Sequence, residues 1–281
     1  MKLKEVLYGL GLRPRPEEYG YDVETFHLET EGEVRLAVWR HPSVRRRRPR
    51  LTQQMVDALR AFLDPGDAAV DVGAQYGDSP LPIALAVGVT GRVFALEPNP
   101  YAYKILQVNA GLNPDKTRVV PLMFAAMPED GEYEFQYQDA GFANGGLISG
   151  ISPWRHGNFF KLRVQGRNLL TYLRAHHAED AARVRFVKID TEGDDHAVAR
   201  SIRDLLVANR PYVKTELYTH RSEAERVAYY RWFRDLGYHL YKTNEVSGQL
   251  GEEQYAAVPL AEGDVMRWKH LDMFAVPDER V

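Results

Sequence analysis

Cysteine is absent from the 281 residues. Its absence excludes disulfides, thiolate zinc sites, iron–sulfur clusters and cysteine nucleophiles, and it suits a reducing, cytoplasmic compartment. Long apolar runs are also missing. A membrane-spanning helix needs about 20 consecutive apolar residues, whereas the most apolar stretch, Leu81 to Val89, is short and holds Pro82 and Gly88. The start, Met1-Lys2-Leu3-Lys4-Glu5, has an acid where a signal peptide begins its apolar segment. Neither a membrane span nor a leader is expected. A formal net charge of −3 supplies no bulk field for nucleic acid, so no such partner is expected. The remainder, 44% hydrophobic and 27% charged, is enough to bury the core of one large domain. Nothing in it speaks to oligomeric state.

The first 50 residues stand apart. Phe26 and Leu28, then Val34, Leu36 and Val38, alternate around Glu31-Gly32 as a β-hairpin. Six arginines, Arg40, Arg45, Arg46, Arg47, Arg48 and Arg50, then fall within eleven residues that contain no acid. They read as a solvated basic turn, or as a patch that recruits an acidic acceptor through two-point pairing with carboxylate or phosphate.

From Leu51 helix and strand alternate, the rhythm of a parallel sheet wrapped by helices. Thr52 caps a helix bearing Met55, Val56, Leu59, Phe62 and Leu63. Strands follow at Ala68–Val72, Arg92–Leu96 and Val119–Leu122, and helices open at Ser79-Pro80 and at Pro98. The stretch from Asp139 to Ser152 is rich in glycine and asparagine and reads as a mobile lid or a passive loop. Trp154, Phe159 and Phe160 after it read as core, or as a platform for a sugar ring. The rhythm then resumes with strands at Arg185–Ile189, Tyr212–Leu217 and Tyr238–Tyr241, and helices at Asp194–Val207 and Ser222–Leu236. Leu271–Val276, with no helix before it, predicts an antiparallel edge pair.

The segment that carries chemistry is Val70-Asp71-Val72-Gly73-Ala74-Gln75-Tyr76-Gly77, between a strand and a helix. Gly73 and Gly77 allow a tight turn and close approach of a ligand. A dinucleotide fingerprint would read G-x-G-x-x-G, but here Gln75 takes the central place and an acid ends the strand, which disfavours a pyrophosphate. Glu97, in Leu96-Glu97-Pro98-Asn99-Pro100, lies 26 residues beyond Asp71 at the end of the next strand. An acid at that place accepts the two hydroxyls of an adenosine ribose. Adenosine without phosphate, carrying a cationic amino-acid tail, is S-adenosylmethionine (SAM). Asp71 also reads as a turn or capping acid, Glu97 as a surface acid before a proline turn. Asn99 reads equally as a ribose contact or as the cap of the helix starting at Pro100.

Asp71-Val72-Gly73-Ala74…Gly77, Phe94-Ala95-Leu96-Glu97-Pro98-Asn99-Pro100 and Val187-Lys188-Ile189-Asp190-Thr191-Glu192-Gly193 together resemble the FkbM family of SAM-dependent methyltransferases over about residues 51 to 276. The resemblance implies an α/β, class I methyltransferase (Rossmann-like) fold, a seven-stranded sheet with an antiparallel last strand. Residues 51–281 would be the methyltransferase domain, and 1–50 an N-terminal β-hairpin extension that the family does not explain. It implies SAM held by Asp71, Gly73, Ala74, Gly77, Glu97 and Asn99, and O-methylation of a sugar or secondary metabolite. Gln75 and Asp78 stand where members more often carry Asn and an aromatic.

On the acceptor side, Asp190 and Glu216 end neighbouring strands, so Asp190, Glu192 and Glu216 are expected to converge on one crevice. An alcohol needs a base, or a metal that lowers its pKa. His220, Asp190 and Glu192 are the expected catalytic residues, with His196 a further candidate base. Asp190 and Glu216 are the expected ligands of a divalent cation, Mg²⁺ or Mn²⁺. Asp194 and Asp195 read as first-turn acids favoured by the helix dipole, and His176-His177 as an exposed helix end. The expected reaction is O-methylation of a small-molecule or glycan acceptor, an acidic sugar such as a uronic acid foremost. A polyketide-type acceptor, a non-catalytic interaction module on the same fold and a nucleotide-dependent oxidoreductase are the alternatives, the last disfavoured by Asp71 and the missing central glycine.

Overall fold

The structure is a computed structural model that describes residues 15–46, 49–137, 145–146, 160–191, 194–218, 221–244, 254–255 and 258–281. The chain opens with a hairpin of β1 (Tyr21–Leu28) and β2 (Gly32–Trp39), turned at Gly32 with φ +69°. Next come α1 (Pro42–Arg45), α2 (Gln53–Arg60), β3 (Ala68–Val72), α3 (Pro80–Val87), β4 (Arg92–Leu96), α4 (Pro100–Leu112) and β5 (Val119–Leu122). An insertion carries β6 (Ala125–Ala126), β7 (Gly131–Tyr137), β8 (Gly145–Gly146) and β9 (Phe160–Arg167). The chain continues through α5 (Leu169–His176), α6 (Ala178–Ala182), β10 (Val184–Ile189), α7 (Asp195–Ser201), α8 (Arg203–Asn209) and β11 (Tyr212–Leu217). It finishes with α9 (Glu223–Asp235), β12 (Tyr238–Asn244), β13 (Gln254–Tyr255) and β14 (Leu271–Pro277).

The main sheet runs β13-β12-β14-β11-β10-β3-β4-β5. Strands β11, β10, β3, β4 and β5 are mutually parallel. Every residue of β3 is buried, as a parallel strand covered on both faces requires. The final strand is antiparallel, but not at an edge: β14 inserts between β11 and β12. Three alternate apolar residues of β14, Leu271, Met273 and Ala275, are at most 1% exposed and line one covered face of the sheet. Seven strands, aside from the two-residue β13, make the Rossmann-like sheet that the sequence resemblance implies.

One face of this sheet packs Val70, Val72, Leu96 and Val187 against Leu173, Val198, Leu206, Tyr229 and Phe233 of the later helices. The other face packs Ala69, Val93 and Phe186 against α2, α3 and α4, and the hairpin's Val34, Leu36 and Trp39 belong to that same cluster. The hairpin therefore shares the core of the domain that follows it. β7 and β9 pair antiparallel in a second sheet, where Phe160 is buried with Phe135, Tyr137 and Val164. The expected single helix over Asp194–Val207 is two, broken at Ile202, whose side chain is wholly buried. No helix among the described residues is long and apolar enough to cross a membrane.

Candidate active site

The turn after β3 is tied to the end of β4. Gly73 and Ala74 donate their N–H groups to the Leu96 carbonyl at 3.1 and 2.9 Å. Gly73 has φ +86°, and a Cβ there would collide with the Asp190 carbonyl at the end of β10. Glycine is needed for both reasons. Gln75 follows with φ +46°, unusual for a residue with a side chain. Its N–H donates to Glu97 Oε2 at 2.9 Å, while the Asn99 N–H donates to Glu97 Oε1 at 2.8 Å. Glu97 so joins the β3 and β4 loops from a buried position. Burial pushes its carboxyl up to about 7, against the pull of the two N–H groups. Tyr137, buried on β7, lies close enough to feel the Glu97 charge. Asn99 accepts from the Tyr101 N–H as the cap of α4, so its capping reading holds in the structure.

Asp71 is fully buried. Ser79 Oγ donates to its Oδ2 at 2.5 Å, and Lys188 Nζ to its Oδ1 at 3.2 Å. Ser79 stands at the N-cap of α3 but makes no cap bond with its side chain, which serves this carboxylate instead. Lys188 also stands 3.2 Å from Asp190 Oδ2, and its charge reaches Asp78, whose carboxyl is pushed up by burial. Burial works against the Lys188 ammonium, but Asp190 and Asp71 outweigh it and hold the lysine protonated well above its usual range. The cation facing Asp71 is thus supplied by the chain. Sequence reasoning passed over Lys188, although it stood inside a quoted motif. The signal was a charged residue within an apolar run, opposite Asp71 in the β10–β3 register.

Asp190, just past the end of β10, leaves half of its side chain open to solvent, 52% exposed. Burial acts to raise its carboxyl, but Lys188, then Lys214 and His270, bring it below the usual carboxylate range. Glu216 stands near the end of the neighbouring parallel strand β11. It lies across from Asp272 on β14, and His270 Nε2 sits 3.5 Å from Glu216 Oε2 and 3.2 Å from Asp272 Oδ2. His270 and Asp272 were missed because nothing in the sequence marks β14 as inserting beside β11.

Asp195 does more than favour a helix dipole. Its Oδ1 accepts from the Thr191 N–H and hydroxyl at 3.0 and 2.5 Å, and its Oδ2 from the Glu216 N–H at 3.1 Å. One buried carboxylate therefore clamps the ends of β10 and β11 together. Asp194 pairs with Arg221 at 3.1 Å. His196 stacks on Tyr229 with ring centroids 4.7 Å apart. His176 is exposed, as expected, and His177 is partly buried beside Phe94. Arg40 is committed to Asp22 of the hairpin through two hydrogen bonds. Glu192, His220, Trp154, Phe159, Arg47 and Arg48 lie outside the described residues, as does the expected lid from Asp139 to Ser152 apart from Gly145 and Gly146.

Two loops carrying glycines and a buried acid, at the carboxyl ends of adjacent parallel strands, are where open α/β sheets bind ligands. Among solved structures, similarity is found to an FkbM methyltransferase from Methylobacillus flagellatus KT, at 17% identity and TM-score 0.46, covering 75% of this chain. The match spans 44% of that protein's chain. A precorrin-6y C5,15-methyltransferase from Geobacter metallireducens GS-15 is similar at 12% identity and TM-score 0.38, over 80% of this chain and 86% of that one. A fibrillarin from Aeropyrum pernix, which holds natively bound S-adenosyl-L-methionine, is similar at 10% identity and TM-score 0.41, over 93% and 97% of the two chains. No curated protein matches. The family model described as the methyltransferase FkbM domain matches residues 71–240, from the Asp71 strand end to β12, and by that match the chain belongs to the FkbM methyltransferase family.

Proposed function

We propose that this protein is a SAM-dependent O-methyltransferase whose acceptor is a hydroxyl of a carbohydrate, an acidic sugar such as a uronic acid foremost. The observation that carries the cofactor part is Glu97. An ionised carboxylate offers about four lone-pair positions, and two of those on Glu97 take the Gln75 and Asn99 N–H groups. One position on each oxygen then suits the two hydroxyls of a ribose. Gly73, Ala74 and Gly77 shape the loop beside it, and Asp71, through Lys188, sets the charge beneath it. Bound SAM supplies a methyl group activated by its sulfonium. Asp190 serves as a charged group to orient the acceptor hydroxyl, and His220, three residues past Leu217 in the sequence, is assigned as the base that takes its proton. The arginines from Arg45 to Arg50 support an acidic acceptor by their charge.

Calorimetry with SAM and with its demethylated product tests the cofactor site. Glu97→Ala should weaken binding by about 1.5–3 kcal/mol, the worth of hydrogen bonds to a charged group. Hydroxyl donors favour the ionised carboxylate. With the free carboxyl at about 7, affinity should therefore rise as pH passes upward through that value and level off above it. Glu97→Gln should flatten the profile. Wild-type affinity in Glu97→Ala removes the assignment. Mass spectrometry of uronic-acid-containing and neutral glycans, after incubation with labelled SAM, decides the acceptor.

A further inference from the structure

Glu216 and Asp272 are directly opposite one another on the antiparallel strands β11 and β14. Their side chains are only 11% and 16% exposed. Two like charges in a cross-strand pair repel, and shielding from water makes that repulsion stronger. A cation between them would relieve that repulsion. His270 Nε2 approaches both carboxylates, at 3.5 and 3.2 Å, from a side chain that is 51% exposed. One ligand atom from each of the three residues lies within 4.8 Å of the other two.

We propose that Glu216, His270 and Asp272 form a binding site for a divalent transition-metal ion of the manganese or zinc class. Metal–ligand bonds of about 2.0–2.2 Å place adjacent ligand atoms roughly 3.0–3.5 Å apart. The two distances from His270 already match that edge. The donor set decides the class. An imidazole beside two carboxylates suits manganese, iron or zinc, whereas magnesium and calcium favour oxygen alone. The half-exposed imidazole leaves a path for the ion. The backbone that carries Glu216 is held by Asp195 through the Glu216 N–H, the kind of outer contact that orients a metal ligand. The site stands beside Asp190, whose carboxylate feels the His270 charge. The ion's use, lowering the pKa of an acceptor hydroxyl at the crevice, rests on the O-methylation reading; its binding does not.

The rival occupant is a proton, with His270 as an imidazolium between the two acids. Electron paramagnetic resonance of Mn²⁺ titrated into the full chain, after dialysis against chelator, separates the two. Loss of the free-ion signal with one ion bound per chain is expected. His270→Ala should weaken that binding at least tenfold, as should Asp272→Asn, a milder change that keeps the side-chain shape. Asp190→Asn should leave the affinity within about threefold. A tenfold excess of Mg²⁺ should not displace the Mn²⁺. The proposal is overturned if wild type binds no Mn²⁺ at millimolar concentration, if His270→Ala binds as tightly as wild type, if Asp190→Asn weakens binding as much as His270→Ala, or if Mg²⁺ displaces the ion. Calorimetry with SAM in chelator fails or succeeds independently of these outcomes, so the cofactor reading and the ion site are judged apart.

Discussion

Lys188 is the residue on which the charges under the glycine loop after β3 balance. It is buried, and it bridges Asp71, itself fully buried, and Asp190. Breaking a buried ion pair by removing one partner leaves the other charge without compensation, at about 3–5 kcal/mol. Lys188→Met should therefore lower the unfolding free energy by about that amount in a denaturant titration. Adding Asp71→Asn, which removes the stranded charge, should restore part of the loss. A single variant as stable as wild type would show that the pair contributes nothing. Asp71, Gly73 and Glu97 were legible from the sequence because strand-end position and glycine spacing are local properties. Lys188 was not, because its partner lies 117 residues away in the chain and only the register of two strands brings them together.

At the scale of elements, a pair of asparagines joins α4 to the hairpin. Arg40 N–H bonds the Gly20 carbonyl, so the even-numbered residues of β2 face β1, and Arg35 and Ala37 turn their peptide groups outward. Asn109 accepts the Ala37 N–H at 2.6 Å and donates to the Ala37 carbonyl at 2.9 Å. Asn113 does the same for Arg35, at 2.9 and 2.8 Å. The spacing fits: four helical residues rise about 6 Å and two strand residues about 6.7 Å. The helix so closes an edge that would otherwise stay open to pairing. Asn109 also donates to the Tyr76 carbonyl at 2.7 Å, which links the hairpin to the glycine loop. Asn109→Ala leaves buried backbone groups unpaired at about 1–3 kcal/mol each. It should destabilise the protein by roughly 2–4 kcal/mol and also weaken SAM binding, whereas Asn113→Ala should affect stability alone. Denaturation and calorimetry on both variants give the comparison, and equal SAM affinity in the two would refute the link. The hairpin and the parallel strands were readable from alternation and apolar runs. Its docking was not, because Asn109 inside α4 looks only like a weak helix former and Asn113 only like the residue that ends it, and no periodicity announces a helix pairing with a strand.

For the whole molecule, the telling feature is how far the site reaches along the chain. The glycine loop follows β3, Glu97 follows β4, Asp190 follows β10, and β14 starts beside Glu216. Each lies at the same edge because the central strands are parallel and β14 runs against them. The family match ends at residue 240, so β14 lies past it. Alternation of helix and strand made the sheet legible, but the insertion of β14 is a property of the closed fold. A ligand between the β3 and β4 loops therefore touches a region tied to the hairpin by Asn109, to β10 by Gly73 and Lys188, and to β7 through Tyr137. Occupancy should stabilise the entire unit rather than one loop. Binding to the native state alone stabilises by RT ln(1 + [L]/Kd), about 2.7 kcal/mol at one hundred times Kd. At roughly 2–4 °C per kcal/mol for a domain of this size, demethylated SAM at that concentration should raise the melting temperature by about 5–10 °C. The transition should stay single, because the linked elements melt together. Asn109→Ala, by loosening one tie, should show a smaller rise at the same ligand concentration. A melting temperature unmoved by ligand in wild type would refute the cofactor assignment, and a rise confined to one of two separated transitions would show the hairpin unfolding independently of the sheet.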